Sequence, residues 1–178
     1  PWKERASSGM ARLRRFAAAQ GGPAVNRDGV LALAHAVRAA MDYVPGVTDV
    51  ADTAAQSFAQ RRGVCQDHAH VMLACCRALR IPARYVSGYV LTDDQGHVAS
   101  HAWVDVWLEA ERGWFSVDVT NRQVAGQRHC RLAIGRDYLD ACPVRGVRRG
   151  GGGEAMTAAV SVSATPDHTL RSEAAPPG

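Results

Sequence analysis

The chain has 178 residues, 47% of them hydrophobic and 21% charged, which is enough for one substantial core and too short for two full domains. Its formal net charge is +4, with Lys3 the only lysine and the arginines scattered apart from doublets at 14–15, 61–62 and 148–149. No aromatic-rich basic strand or recognition helix accompanies them, so no nucleic-acid partner is expected, and no apolar run reaches the roughly 18 residues of a membrane-spanning helix.

Residues 10–20 and 27–43 are predicted as helices. The second carries Val30, Leu33, Ala34, Val37 and Met41 at spacings of three and four, a single apolar stripe. Asn26 or Asp28 caps its start and Pro45-Gly46 ends it. His35, near this stripe, reads as an ordinary helix histidine. In segment 48–60, Asp52 or Thr53 is a cap-like start for a short helix through Ala54, Phe58 and Ala59, and Arg61-Arg62-Gly63 breaks it. From 64 to 79 the apolar positions Val71, Met72, Cys75, Cys76 and Leu79 recur at helical spacing until Pro82 closes the segment. Cys65 falls in the first turn of this central helix.

Beyond Pro82 the period changes. Segments 83–91 and 97–108 read as strands around a polar turn at 92–96, followed by strands at 113–119, 129–134 and, after a glycine run, 156–162. Helices first and an antiparallel sheet afterwards define an α+β fold class. Residues 1–164 are expected to form the core domain, and 165–178, rich in Pro, Ala and charge, a disordered tail or linker. The chain begins at Pro1, as a fragment or processed product would. Five cysteines, none in a C-x-x-C pair, do not make a disulfide framework, and the cytoplasm is the expected location.

A helix N-terminus stabilises a thiolate through unpaired backbone donors and the helix dipole, which makes Cys65 the candidate nucleophile. Cys75 and Cys76, amid Val, Met, Leu and Ala, read as inert core. A thiol also needs a base whose second ring nitrogen is fixed by another group. Strand alternation sets His101, Trp103, Asp105 and Trp107 on one face and Ala102, Val104, Val106 and Leu108 on the other, and the next strand sets Trp114, Ser116, Asp118 and Thr120 opposite Phe115, Val117 and Val119. With the hairpin tip at Glu109-Ala110, His101 lies directly across from Asp118; a register shifted by two residues leaves them diagonal neighbours, and a one-residue slip separates them. Cys65, His101 and Asp118 are therefore the candidate nucleophile, base and orienting group for acyl transfer at a carbonyl or carboxamide. The Cys65 backbone N–H and a Gln66 group are the first candidates for oxyanion donors. Trp103, Trp107, Trp114, Tyr85 and Tyr89 are candidate cleft walls or sheet-packing aromatics.

These residues resemble a family. Gly63-Val64-Cys65-Gln66-Asp67, Ala69-His70 and the run Cys76 through Tyr89 are similar to the core signature of bacterial transglutaminase-like proteins. Ser100-His101-Ala102-Trp103-Val104 resembles that family's histidine strand, and Gly113-Trp114 with Asp118-Val119-Thr120-Asn121 its aspartate strand. Ile134 through Tyr138 and Cys142 through Gly146 also match the pattern. Two positions depart from it: His68 stands where an aromatic residue is usual, and Val119 where Pro follows the aspartate. The resemblance implies a papain-like fold of the cysteine-proteinase superfamily, no required cofactor, and a protein or peptide substrate that donates a glutamine or other amide group, with an amine as candidate acceptor.

Three alternatives stay open. Water in place of the amine makes the same acyl-thioester chemistry a protease or amidase reaction, a choice set by loops such as 43–52, 92–96 and 121–128. A binding module could retain the fold without turnover. A zinc site could use Cys65, His68 and His70 completed by His97, His101, His129 or Cys130, although His68 and His70 point to different sides of a helix.

Overall fold

The computed structural model describes residues 8–20, 25–48, 52–91 and 100–142. The turn expected at 92–96, the strand at 156–162 and the tail at 165–178 lie outside them.

The helices come first, as the periodicity predicts: α1 (Ser8–Ala19), α2 (Arg27–Ala40), α3 (Ala54–Gln60) and α4 (Cys65–Ala78). Local chemistry sets their starts. The Asn26 side chain accepts from the Gly29 N–H at 2.8 Å to cap α2, and Thr53 and Gln56 cap one another reciprocally at α3. On α2 the stripe Val30, Leu33, Ala34 and Val37 is buried as expected. Helix α4 is buried nearly all round, with every residue from Val71 to Cys76 enclosed, because α1, α2 and α3 pack on it from one side and the sheet from the other. No described helix is long and apolar enough to cross a membrane.

Helix α2 ends at Ala40 rather than running to Tyr43, since Met41 is extended and β1 (Asp42–Tyr43) pairs in parallel with β2 (Arg62–Gly63). Backbone bonds from Asp42 N–H to Arg61 O at 2.8 Å and from Val44 N–H to Gly63 O at 2.9 Å make the tie. It brings Tyr43 alongside Gly63, two residues before Cys65.

The strands β3 (Ala83–Val90), β4 (Ser100–Leu108), β5 (Gly113–Asp118), β6 (Gln123–Val124) and β7 (His129–Gly135) form one antiparallel sheet in the order β6-β5-β4-β3-β7. Ala102, Val104, Val106 and Leu108 of β4 join the core. On the other face Asp105 is buried too, its carboxylate taking Arg131 Nη1 at 2.7 Å, Arg84 Nε at 3.0 Å and Ser116 Oγ at 2.6 Å. The β4–β5 register differs from the tight tip expected at Glu109-Ala110. Leu108 pairs with Gly113 and Val104 with Val117, because the connection is a 3-10 turn at Glu109–Glu111 closed by Arg112 in the left-handed region at φ 48. His101 and Asp118 are thus displaced from direct opposition by two residues and become diagonal neighbours on one face.

Candidate active site

The antiparallel order gathers the start of β4, the end of β5, the end of β3 and the start of β7 at one end of the sheet. The start of α4 reaches the same place. That helix has no capping side chain at Val64; instead the Asp67 carboxylate turns back to accept the Val64 N–H at 2.8 Å. The same carboxylate accepts the Thr48 hydroxyl at 2.7 Å and the Ser57 hydroxyl at 2.7 Å. A side chain at Gly63 would stand 2.5 Å from that carboxylate, so glycine is needed there for the close approach of Asp67.

His101 ties the two halves of the site together. Its Nε2–H donates to Asp118 Oδ2 at 2.8 Å, and Cys65 is among the groups whose proximity favours its charged form. With Nε2 committed to the carboxylate, Nδ1 is the nitrogen left for sulfur. Burial works against a charged imidazole here, but the hydrogen bonds and charges of Asp118 and Cys65 outweigh it and push His101 up to about 9. Asp118 is fully enclosed at 0% exposure. Burial opposes its charge, and hydrogen bonds from His101 and His129 overcome that and hold the carboxyl well below the usual carboxylate range. Asn121 adds two donors, its side-chain amide to Oδ2 at 2.7 Å and its backbone N–H to Oδ1 at 3.1 Å.

The other candidates divide between the site and the core. Gln66 and Tyr89 are half-buried. Trp103, expected as a cleft wall or packing aromatic, is 1% exposed and backs the two histidines, 6.2 Å from the His101 ring and 5.2 Å from that of His129. Trp107 and Trp114 pack on each other, ring centroids 5.4 Å apart, at the opposite end of the hairpin. Tyr85 is buried against His70 and Tyr138. Cys75 and Cys76 are enclosed, and burial pushes both thiols up to about 12.

The zinc grouping of Cys65, His68 and His70 does not converge. His68 Nδ1 meets Thr120 Oγ1 at 3.0 Å, and His70 Nε2 accepts the Tyr138 N–H at 3.2 Å. His68 fills the place of the family's aromatic as a neutral ring: burial, then the Arg38 guanidinium, bring it down to about 4, against the pull of Asp67, the Asp42 backbone and Asp118. Sequence reasoning passed over His129 and Asn121 as donors to Asp118, and His129 was in view only as a zinc ligand.

Residues 14–119, more than half of the chain, match the transglutaminase-like superfamily. The chain belongs to that superfamily. Among its relatives, the Mycobacterium leprae protein ML0607, itself uncharacterized, is 36% identical over 143 residues, 77% of this chain and 50% of that one. A Pseudomonas aeruginosa protein named protein-glutamine gamma-glutamyltransferase is 36% identical over 104 residues, 51% of this chain and 15% of that one. Among solved structures, a candidate cysteine protease from Cytophaga hutchinsonii superimposes with a TM-score of 0.62 at 30% identity, covering 75% of this chain and 45% of that one. The α+β, papain-like architecture is therefore that of the superfamily. The chain spans half or less of the length of these relatives.

Proposed function

We propose that the chain is a thiol acyl-transfer enzyme acting on carboxamide or peptide bonds through an acyl-thioester. Cys65 sulfur attacks the carbonyl carbon, His101 carries the proton to the leaving amine or ammonia, and Asp118 holds the imidazole in place. The supporting observation is the His101 ring bonded to the Asp118 carboxylate at 2.8 Å, with Cys65 among the groups that favour its charged form. The α4 start offers the Cys65 backbone N–H, with Gln66 beside it, to the oxyanion that forms on the carbonyl.

The acceptor that resolves the thioester is an amine on the transferase reading, which the name of the Pseudomonas relative favours. Water is the acceptor on the hydrolase reading, favoured by the name of the Cytophaga neighbour. Incubation with a glutamine-containing peptide library, with and without a primary amine, separates them by mass spectrometry. Ammonia release with an added amine mass means transfer; shortened peptides mean proteolysis. No acylated Cys65 and no product under either condition overturns the enzyme reading and leaves a binding module.

A further inference from the structure

His129 stands at the first position of β7, two strands beyond β4 in the sheet order, yet its Nε2 lies 3.1 Å from the same Asp118 oxygen that His101 uses. Its side chain is 4% exposed. Two bonds with Gly126 hold it there: the His129 backbone N–H donates to Gly126 O at 2.9 Å, and the Gly126 N–H donates to His129 Nδ1 at 3.2 Å. The second of these decides the tautomer. A nitrogen that accepts a backbone N–H has its lone pair occupied, so the proton of the neutral ring sits on Nε2 and points at Asp118.

His101, Asp118 and His129 also place their ligand atoms within 4.8 Å of one another, the spacing of a small metal site. A metal would need the bare lone pair on His129 Nε2, which the Gly126 bond denies it.

We propose that His129 is a positioning residue, a neutral imidazole protonated at Nε2 that anchors the Asp118 carboxylate so that its remaining acceptor geometry fits His101. This rests on the acyl-transfer reading of Cys65, His101 and Asp118. The Asp118 carboxylate must stay ionised and immobile while proton transfers occur at His101. A ring fixed by a backbone turn supplies a donor without bringing a second positive charge that would compete for the carboxylate. Trp103, edge-on to the His129 ring at 79°, closes the remaining space.

The test compares His129→Phe, which keeps a ring and removes both nitrogens, with His129→Gln, whose amide N–H can reach from the place of Nε2. His129→Phe lowers Cys65 alkylation and kcat by roughly 10- to 100-fold with KM unchanged, the loss expected for one hydrogen bond to a charged group. His129→Gln restores both to within about threefold. In the wild-type protein, nitrogen-15 signals of the His129 ring report a protonated Nε2 and a bare Nδ1, unchanged by stoichiometric Zn²⁺. Wild-type rates in His129→Phe, equal losses in both variants, or His129 signals that move with one equivalent of Zn²⁺ each overturn the proposal. If wild-type Cys65 itself proves unreactive, the acyl-transfer reading fails, while the ring-nitrogen signals still decide the tautomer.

Discussion

Two histidines at the candidate site titrate in opposite senses, and together they should give the protein a stability maximum near pH 6.5. His68 is brought down to about 4 by burial and the Arg38 guanidinium. Between pH 4 and 6.5 the unfolded chain binds a proton that native His68 refuses, so stability rises with pH across that window. His101 is pushed up to about 9. There the native state keeps a proton that the unfolded chain has released, so the contribution is complete below pH 6.5 and is lost as pH climbs through 9. The gap is about 2.5 pH units on either side, from 6.5 down to about 4 and from 6.5 up to about 9. At about 1.4 kcal/mol per pH unit each limb is worth about 3 kcal/mol, a large share of the stability of a small domain. The Asp118 carboxyl, held far below its ordinary value, loses its contribution only at strongly acid pH and does not shape this window. Urea unfolding at half-unit intervals from pH 4 to 9.5 measures both limbs, and His68→Phe and His101→Gln should flatten the acid and alkaline limbs respectively. Groups common to all three proteins cancel in the differences. A His68→Phe curve parallel to wild type below pH 6.5, or a His101→Gln curve parallel to it above, would refute the reasoning.

Asp67→Ala leaves three donors, the Val64 N–H and the Thr48 and Ser57 hydroxyls, without their shared acceptor; the cost should be about 3 kcal/mol, a fall in Tm of roughly 6–12 °C by calorimetry. A fall under about 2 °C would mean that water replaces the carboxylate. Cys65→Ala should abolish the fast phase of iodoacetamide labelling at about pH 6 while moving Tm by less than about 2 °C, leaving only slow labelling of exposed Cys130 and half-buried Cys142, since Cys75 and Cys76 are enclosed with thiols near 12; a fast phase that persists at the wild-type rate places the reactive thiol elsewhere. Asp118→Asn should lower turnover by on the order of a hundredfold or more, since the amide favours the wrong imidazole tautomer. A wild-type rate in that variant would transfer the orienting role to another group, with Asn121, whose side-chain amide lies 3.5 Å from His101 Nε2, the first candidate.

The pairing of His101 with Asp118 was legible because it depended on parity alone. The hairpin tip differed from expectation, yet the shift was by two residues, and an even shift keeps each side chain on its face. The helical core was legible for a similar reason: the α2 stripe repeats often enough to bury Val30, Leu33, Ala34 and Val37 whatever the loops do. Asp42–Tyr43 was hidden because a two-residue bridge has no period, and its partner Arg62–Gly63 lies beyond another helix. Nothing local to Gly63 said that its missing side chain makes room for the Asp67 carboxylate. His129 was hidden more deeply, since its contact with Asp118 combines a turn at Gly126, the pairing of β7 with β3 and a reach past β4.

The donors around Asp118 bear on how the proposed reaction divides its labour. A buried carboxylate that accepts from His101, His129 and twice from Asn121 has little capacity to take up a proton, so proton traffic is confined to the imidazole. That imidazole, pushed up to about 9 by Asp118 and Cys65, holds its proton at neutral pH. The proton that the leaving amine requires is therefore in place before sulfur attacks, and the neutral imidazole exists only after that proton is spent. The base available to the second half-reaction is then generated by the first, beside the thioester, where it can activate whichever acceptor, amine or water, enters next.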